Sequence, residues 1–290
     1  MVGSIVDAAH CAYSRVFEAE HPMGDFSTIE YSLQDEVATI HLNRPAKLNA
    51  INLQMVSELE DATRHAEADP GVKVIILAGR GKSFSAGFDL KEIEPGSSDP
   101  EKKRRNLERK FRMIMSFWNC SKPTIAAVHG HCVGGGFELA LSCDITLASV
   151  SCRMGEPEVR FGSGVLAMLL PWLTGAKAAK ELLLSGDDTM TAERALSLGI
   201  VNRLVSDDAL EEEARSLART IKQADAHAVA MTKRAINGSL NAMGMQEALL
   251  HALEIEVSIE TASTPKRTEF QRIYQTEGLK AALAWRDAAG

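Results

Sequence analysis

Alternating and continuous apolar segments predict a sheet in the first half of the chain. Residues 29–33 and 37–42 alternate or run apolar on either side of the polar residues 34–36, which is typical of a β-hairpin. Two later runs, 72–78 and 123–128, are almost wholly apolar. Short runs of this kind are typical of strands that are buried on both faces.

Helical periodicity lies between these strands. Apolar residues recur every three or four positions from Leu53 to Ala62, and Asn52 is placed to cap that helix. A second helix is predicted from Gly134 to Ser142, followed by a strand at 144–149. The middle of the chain therefore repeats strand, loop and helix in β-β-α-like units, which predicts an α/β fold.

Beyond about residue 206 the pattern is helical only. We therefore predict three segments: an N-terminal extension at 1–25, a β-β-α core at 26–205, and a C-terminal helical region at 206–290. A thin helical layer cannot bury all of its apolar surface alone, so we expect it to dock on another subunit. The predicted C-terminal helices are Leu210–Ile221, His227–Leu240, Met245–Thr261, Lys266–Tyr274 and Leu279–Asp287.

Composition excludes several classes of protein. The 290 residues are 45% apolar and 24% charged, as in ordinary globular proteins. The net charge of −7 argues against a general nucleic-acid binder, and no run approaches the roughly 18 apolar residues of a membrane span. Residues 1–25 have neither the apolar block of a secretory signal nor the arginines of a transit peptide, so we expect a cytoplasmic protein. The cysteines are widely spaced and odd in number, which favours reduced thiols over a disulfide framework or a zinc site: Cys11, Cys120, Cys132, Cys143 and Cys152.

Candidate chemistry centres on the glycines at 134–136. They precede Glu138 in the first turn of a predicted helix, and Glu158 supplies a second carboxylate twenty residues on. Glycines let a ligand approach the backbone N–H groups, and a helix N-terminus favours negative charge. The small-residue loop 85–90 follows a buried strand and can present another backbone N–H to the same ligand. Together these features predict a site that stabilises an oxyanion and moves protons beside it.

Other motifs have simpler interpretations. The segment 79–83 lacks the glycine spacing of a phosphate-binding loop, and the glycines at 134–136 lack the spacing of a dinucleotide site. His129 and His131 have no third metal ligand nearby in sequence, so we predict no metal site. The basic cluster at 101–105 indicates either a solvated helix face or a cationic arm near an anionic ligand.

Several ordered motifs make the chain similar to the crotonase (enoyl-CoA hydratase/isomerase) superfamily. The similarity runs from about residue 26 to the end, which is far more specific than any single motif. The matching segments are Asn43-Arg44-Pro45, Leu48-Asn49-Ala50, Phe84 to Lys91, Pro123 to Asp144, Gly155-Glu156-Pro157-Glu158 and Ala192 to Val201.

The resemblance implies a fold, a substrate class and an assembly. The fold would be a crotonase-type spiral of stacked β-β-α units with a C-terminal helical trimerisation region. The substrate would be an acyl-CoA thioester, with no metal or redox cofactor, no nucleic acid and no membrane as partner. The assembly would be a homotrimer or a dimer of trimers.

The resemblance also assigns the site residues. The backbone N–H groups of Phe88 and Gly135 would form the oxyanion hole, and Glu138 and Glu158 would be catalytic. The substrate-binding residues would be Ala86, Asp89, Leu90 and Lys91, with Ala86 and Lys91 at the positions that contact CoA.

One segment departs from the hydratase pattern. Hydratases of this family usually follow the second glutamate with a Gly-x-x-Pro-Gly-x-Gly-Gly run, whereas residues 161–168 carry bulkier apolar side chains. We therefore expect a reshaped acyl pocket. We predict an enoyl-CoA hydratase that adds water in syn fashion to a 2-enoyl-CoA. The alternatives are a double-bond isomerase, which requires only Glu158, and a non-catalytic acyl-CoA- or RNA-binding paralogue, favoured by the basic segment 102–110.

Overall fold

A computed structural model describes residues 25–92 and 100–288. Nearly all of the predicted N-terminal extension thus lies outside the described residues. The strands of these described segments are β1 (Ile29–Gln34), β2 (Val37–Leu42), β3 (Val74–Gly79), β4 (Thr124–Val128), β5 (His131–Val133), β6 (Ile145–Ser149), β7 (Arg153–Gly155), β8 (Met190–Thr191) and β9 (Arg203–Val205).

Two sheets organise these strands. The larger sheet has the order β1-β2-β3-β4-β6-β9, in which only the β1–β2 hairpin is antiparallel. Strands β2, β3 and β4 are buried along their whole length, which explains the mostly apolar sequences of β3 and β4. The smaller sheet, β5-β7-β8, pairs β5 with β7 in parallel and β7 with β8 in antiparallel.

The core helices connect successive strands. Asn52 caps the first of them, because its side-chain oxygen accepts a 2.9 Å hydrogen bond from the N–H of Met55. These helices are α1 (Leu53–Ala68), α2 (Pro100–Asn119), α3 (Gly135–Ser142), α4 (Leu170–Thr174), α5 (Ala176–Ser185) and α6 (Ala192–Ser197).

The C-terminal part is helical, and each of the helices predicted there from the sequence is present. The bounds of one predicted helix, Met245–Thr261, are reproduced without change. None of the helices in the described ranges is long and apolar enough to cross a membrane. The C-terminal helices are α7 (Leu210–Lys222), α8 (Ala226–Ala242), α9 (Met245–Thr261), α10 (Pro265–Glu277) and α11 (Leu279–Ala288).

A buried ion pair joins helix α8 to the sheet. The Nζ of Lys233 lies 2.8 Å from a carboxylate oxygen of Asp144, at the start of β6. The same ammonium donates to the carbonyl oxygens of Phe117 and Lys122, and Asp144 also accepts from the N–H of Thr124. Each charge thus has several partners, which offsets the cost of burying it.

The main core lies between the larger sheet and helices α1–α3, and it contains free cysteines. All four cysteines of the described segments are buried and unpaired: Cys120, Cys132, Cys143 and Cys152. Burial is the main cause that raises the pKa of each thiol, to about 12 for Cys120 and Cys152. They therefore pack as small apolar side chains.

Candidate active site

Two glycine-containing segments meet at the start of helix α3. A Cβ on Gly87, where φ is +86°, would lie 3.4 Å from the backbone nitrogen of Gly135. A Cβ on Gly135 would lie 2.6 Å from the Phe88 ring. The loop before Phe88 and the first turn of α3 therefore touch, and side chains at these glycines would force them apart.

The N–H groups of Phe88 and Gly135 are available to a ligand. In the described part of the chain, no acceptor takes a hydrogen bond from either group. Their neighbours differ: the N–H of Gly87 donates to Ser85 Oγ at 3.2 Å, and that of Asp89 donates to the Ile51 carbonyl at 2.9 Å. Two unused donors thus lie on adjacent segments at the positive end of a helix.

Asn49 holds the segment that leads from β3 into this loop. Asn49 is fully buried with φ of +55°, and its amide donates to the carbonyls of Arg80 and Ser83, each at 2.8 Å. Its own carbonyl accepts from Ser85 Oγ at 2.9 Å. The Asn-containing motif near residue 49 therefore has a structural role, since it positions the loop that leads to Phe88.

The four predicted substrate-binding residues have different surroundings. Ala86 is half-buried, and its N–H donates to the Leu48 carbonyl at 2.9 Å. Asp89 forms an ion pair with Arg44 at 2.9 Å, so its carboxylate is already engaged within the protein. Leu90 lines a small cavity, and Lys91 is exposed at the rim.

Aromatic side chains line the small cavity beside Leu90, and a basic side chain faces Phe88. The cavity beside Leu90 is lined by Phe161, Phe270 and Tyr274, and the two phenylalanine rings stack at 5.1 Å between centroids. From helix α2, Lys110 Nζ lies 4.5 Å from the centroid of the Phe88 ring. A cation at this distance is attracted to the ring face and fixes the side chain of Phe88.

Glu138 lies in the first turn of α3 and is 1% exposed. Its Oε1 accepts hydrogen bonds from the N–H groups of Leu166, at 2.7 Å, and Ala167, at 3.0 Å. Its Oε2 is buried, and no residue in the described part of the chain donates a hydrogen bond to it. Burial and then the charge of Glu158 raise the pKa of Glu138 to about 7, although the two N–H donors favour the carboxylate.

These contacts explain how Glu138 is held although residues 161–168 depart from the glycine-rich pattern of the hydratases. Leu166 and Ala167 hold Glu138 through their backbone, so the identity of their side chains does not affect this contact. The side chains themselves are buried in the main core. The divergent segment therefore holds the Glu138 carboxylate through its backbone N–H groups.

Glu158 begins a short 3-10 helix, Glu158–Phe161, after Pro157. The residue is partly exposed, but its Oε2 is buried, and no N–H or O–H group of the described residues donates to it. A Cβ on Gly134, where φ is +55°, would overlap Glu158 Oε1. The second carboxyl therefore lies directly against the turn that precedes Gly135, and burial is the main cause that raises its pKa.

Two further glutamates near Glu138 and Glu158 are also buried, and no role was predicted for either of them from the sequence. Glu156 is 2% exposed and Glu256, from helix α9, is 3% exposed. A visible signal existed for Glu256, because it follows Leu249 and Leu253 on the apolar stripe of its helix. For Glu156 the sequence shows only that it lies close to Glu158, and closeness in sequence does not indicate burial.

Comparison with known proteins identifies the family. The family model "Enoyl-CoA hydratase/isomerase" matches residues 32–282. The chain is 34% identical over 238 residues to the crotonyl-CoA hydratase of Syntrophomonas wolfei, covering 80% of this chain and 87% of that protein. It is 34% identical over 257 residues to the short-chain-enoyl-CoA hydratase of Clostridium acetobutylicum, covering 86% and 90%.

Solved structures agree with this relationship. An enoyl-CoA hydratase/isomerase from Xanthobacter autotrophicus superimposes with a TM-score of 0.90 at 46% identity, covering 91% of this chain and 99% of that one. An enoyl-CoA hydratase from Mycobacterium smegmatis gives a TM-score of 0.84 at 28% identity, covering 93% and 96%. The chain belongs to the enoyl-CoA hydratase/isomerase family, and it has the crotonase fold predicted from its motifs.

Proposed function

We propose that this protein is an enoyl-CoA hydratase that adds water in syn fashion across the double bond of a 2-enoyl-CoA. One grouping supports the proposal: the unused N–H groups of Phe88 and Gly135 lie on touching segments, Glu138 lies in the first turn of α3, and Glu158 lies against Gly134. Relatives named as enoyl-CoA hydratases cover most of the chain. Members of the same family that move double bonds need only one of the two acids.

The N–H groups of Phe88 and Gly135 would bind the thioester oxygen. Attack of water at Cβ moves the π electrons through Cα to that oxygen and creates an enolate. Donors that are already in place stabilise this charge without reorganisation, and loss of one such donor typically costs about 10²–10³-fold in rate. The chemistry is complete with groups of the protein and the CoA thioester, so we propose no further cofactor.

The two carboxyls would divide the proton transfers. Glu138 is the better base, because two N–H donors favour its anionic form and its Oε2 is free to accept a proton from water. The resulting hydroxide equivalent forms the bond to Cβ, and Glu158 delivers a proton to Cα as the enolate collapses. Proton transfer from Glu138 to Glu158, through solvent, resets the site with one water consumed.

The surrounding residues would bind the CoA moiety and the acyl chain. Ala86 and Lys91 lie on the loop beside the donors and would contact CoA, while Leu90 would contact the substrate from the same loop. Asp89 would act through its ion pair with Arg44, which fixes the loop. We further propose a cytoplasmic protein that works as a homotrimer or a dimer of trimers.

The direct test is product analysis in D₂O. The protein is incubated with crotonyl-CoA and with longer and aromatic 2-enoyl-CoAs, and products are identified by mass. We expect a 3-hydroxyacyl-CoA that carries one solvent deuteron at Cα. If no substrate of this panel is hydrated, while a 3-enoyl-CoA is converted to its 2-enoyl isomer without uptake of water oxygen, the protein is an isomerase and the hydratase proposal is wrong.

Replacing Glu158 with Gln tests the proton donor. Glu158→Gln keeps the shape of the side chain but removes the acid, so we expect kcat to fall by about 10²–10⁴-fold. Binding of a saturated acyl-CoA, measured by calorimetry, should persist. Glu181→Gln is the matched control, because Glu181 is 71% exposed in a surface ion pair and should leave kcat unchanged. An unchanged kcat in Glu158→Gln would remove Glu158 from the mechanism.

A further inference from the structure

A ring of four charged side chains joins the 3-10 helix that carries Glu158 to the C-terminal helix α11. The ring alternates positive and negative charges, and its members come from three separate parts of the chain. They are Arg160 of the 3-10 helix, Asp188 of the loop between α5 and β8, and Arg286 and Asp287 of α11. Arg160 and Asp287 are 127 residues apart, so only the tertiary fold brings these charges together.

Each neighbouring pair in the ring is within ion-pairing distance. The guanidinium nitrogens of Arg160 lie 3.5 Å from a carboxylate oxygen of Asp188 and 2.7 Å from one of Asp287. Those of Arg286 lie 3.1 Å from Asp188 and 2.8 Å from Asp287. Each guanidinium therefore contacts both carboxylates, and the ring connects α11 to the 3-10 helix by two routes.

Arg286 is the most enclosed member of the ring. Its side chain is 9% exposed, against 27% for Arg160 and 52% for Asp287. Exposed ion pairs contribute little because water screens them, whereas a buried cation is costly unless its partners stay in place. The position of Arg286 therefore fixes where the two aspartates lie, and through them the guanidinium of Arg160.

The stem of Arg160 is also held, and it is continuous with the turn that carries Glu158. A Cβ on Gly186, where φ is +66°, would lie 2.5 Å from Arg160 Cγ, so the stem crosses directly over this glycine. The N–H of Arg160 donates to the Pro157 carbonyl at 2.9 Å and closes the turn around Glu158. A displacement of Arg160 would therefore displace the backbone of Glu158 as well.

We propose that Arg286 is a positioning residue that holds the Glu158 turn in place through the two aspartates and Arg160. This inference rests on the proposed hydration, in which Glu158 delivers a proton to Cα. Proton transfer requires the carboxyl to lie within hydrogen-bonding reach of the reacting atom, and a misplacement of about 1 Å can cost roughly 10²-fold in rate. Helix α11 thus supports the active site in addition to belonging to the region predicted for assembly.

Removing the charge of Arg286 tests this role in steady-state kinetics. Arg286→Met keeps much of the apolar stem but opens the ring, so we expect kcat to fall by about 10- to 100-fold. The KM for the same enoyl-CoA should stay within about twofold of wild type, because the proposed effect is on the reacting geometry. Arg272→Met is the matched control, because Arg272 is 53% exposed and pairs with Glu269 and Glu277 of its own helix, α10. It should leave kcat unchanged.

A double variant separates positioning of Glu158 from a general structural role. If Arg286 acts through Glu158, adding Arg286→Met to Glu158→Gln should change the residual kcat by less than about twofold. An equal loss in both backgrounds, or a change in KM alone, overturns the proposal. Arg160→Met opens the ring at a more exposed member and should repeat the kinetic result, so the test remains decisive if Arg286→Met does not fold. Normal kcat in Arg160→Met would likewise overturn it.

Hydrogen exchange tests the hold on the turn without any substrate. Mass spectrometry of peptides that cover residues 157–163 should show several-fold faster amide exchange in Arg286→Met and wild-type exchange in Arg272→Met. Unchanged exchange in Arg286→Met would show that the ring does not hold the turn, and the proposal would be wrong whatever the protein catalyses. Faster exchange in a protein that hydrates no enoyl-CoA would support the hold on Glu158 and refute only the proposed reaction.

Discussion

At the scale of single residues, Gly134 shows how a missing side chain can define the chemistry. Its backbone, with φ of +55° and ψ of −132°, is a conformation that only glycine adopts without strain. The space that a Cβ would occupy is taken by Glu158 Oε1. The glycine thus shapes the turn before the donor of Gly135 and admits a carboxyl beside it.

Replacing this glycine should damage catalysis more than folding. In Gly134→Ala, the Cβ would displace the Glu158 carboxyl and strain the turn, so we expect kcat to fall by at least about 10²-fold, in the range for loss of a proton-transfer group. Steady-state kinetics with an enoyl-CoA and a melting curve check this. Gly238→Ala is the matched control, because a Cβ at that glycine of helix α8 meets nothing within 4 Å. Equal kinetics in the two variants would contradict the role given to Gly134.

At the scale of elements, helix α9 carries an acid into the interior. Glu256 is 3% exposed, and its Oε2 has no partner among the described residues. Burial and then the charges of Glu260 and Glu138 raise the pKa of Glu256 to about 8. Near neutral pH this side chain is therefore mostly protonated, and deprotonation would create a buried charge that Arg267 offsets only in part.

Stability should consequently fall as the pH rises. The folded protein keeps the Glu256 proton up to a pH of about 8, whereas the unfolded chain releases it near the ordinary pKa of 4.5. The favourable contribution is thus complete at acidic pH and is lost as the pH rises toward 8, by about 1.4 kcal/mol for each unit of pKa difference. Unfolding measured from pH 5 to 9 should show that Glu256→Gln removes part of this decline.

The neighbouring glutamate provides the control. Glu254 lies on the same helix but is 55% exposed and paired with Arg104, which lowers its pKa. Glu254→Gln should leave the alkaline decline unchanged. An equal effect of both substitutions would mean that the decline is a property of the overall charge rather than of the buried acid.

Sequence patterns predicted the elements better than the surroundings of their side chains. Helix α9 was predicted at its observed bounds because an apolar stripe is a local property of the chain. Strands β2, β3 and β4 were predictable for the same reason. The shared environment of Glu156 and Glu256 was not, because it arises where β7, the loop around Gly164 and a distant helix come together. The roles assigned to Phe88, Gly135 and the catalytic glutamates remain predictions of the resemblance.

At the scale of the whole molecule, helices α8 and α9 present apolar side chains that the described residues leave exposed. Lys233 is the buried residue of α8. Large apolar side chains of both helices are at least 36% exposed in the single chain, which agrees with the expected docking on another subunit. These side chains are Met231, Ile236, Met243, Leu250, Ile255 and Ile259.

Charges on this surface should dissociate the proposed assembly. We expect the wild type to sediment as a trimer or a dimer of trimers, and the double variant Ile236→Glu with Met243→Glu to sediment as a smaller species. Leu196→Glu is the control, because Leu196 is 40% exposed but belongs to helix α6. A monomeric wild type, or an unchanged size in the double variant, would contradict assembly through this surface.

The buried cysteines of the core have a practical consequence. With their thiol pKa values raised and their side chains enclosed, Cys120, Cys132, Cys143 and Cys152 are shielded from alkylating reagents while the molecule stays closed. Their rate of labelling therefore measures how often the interior opens. Once Cys11 is replaced by Ser, the labelling rates of the buried cysteines report local unfolding of the core. Mass spectrometry of the labelled peptides can measure the opening rate of each region separately.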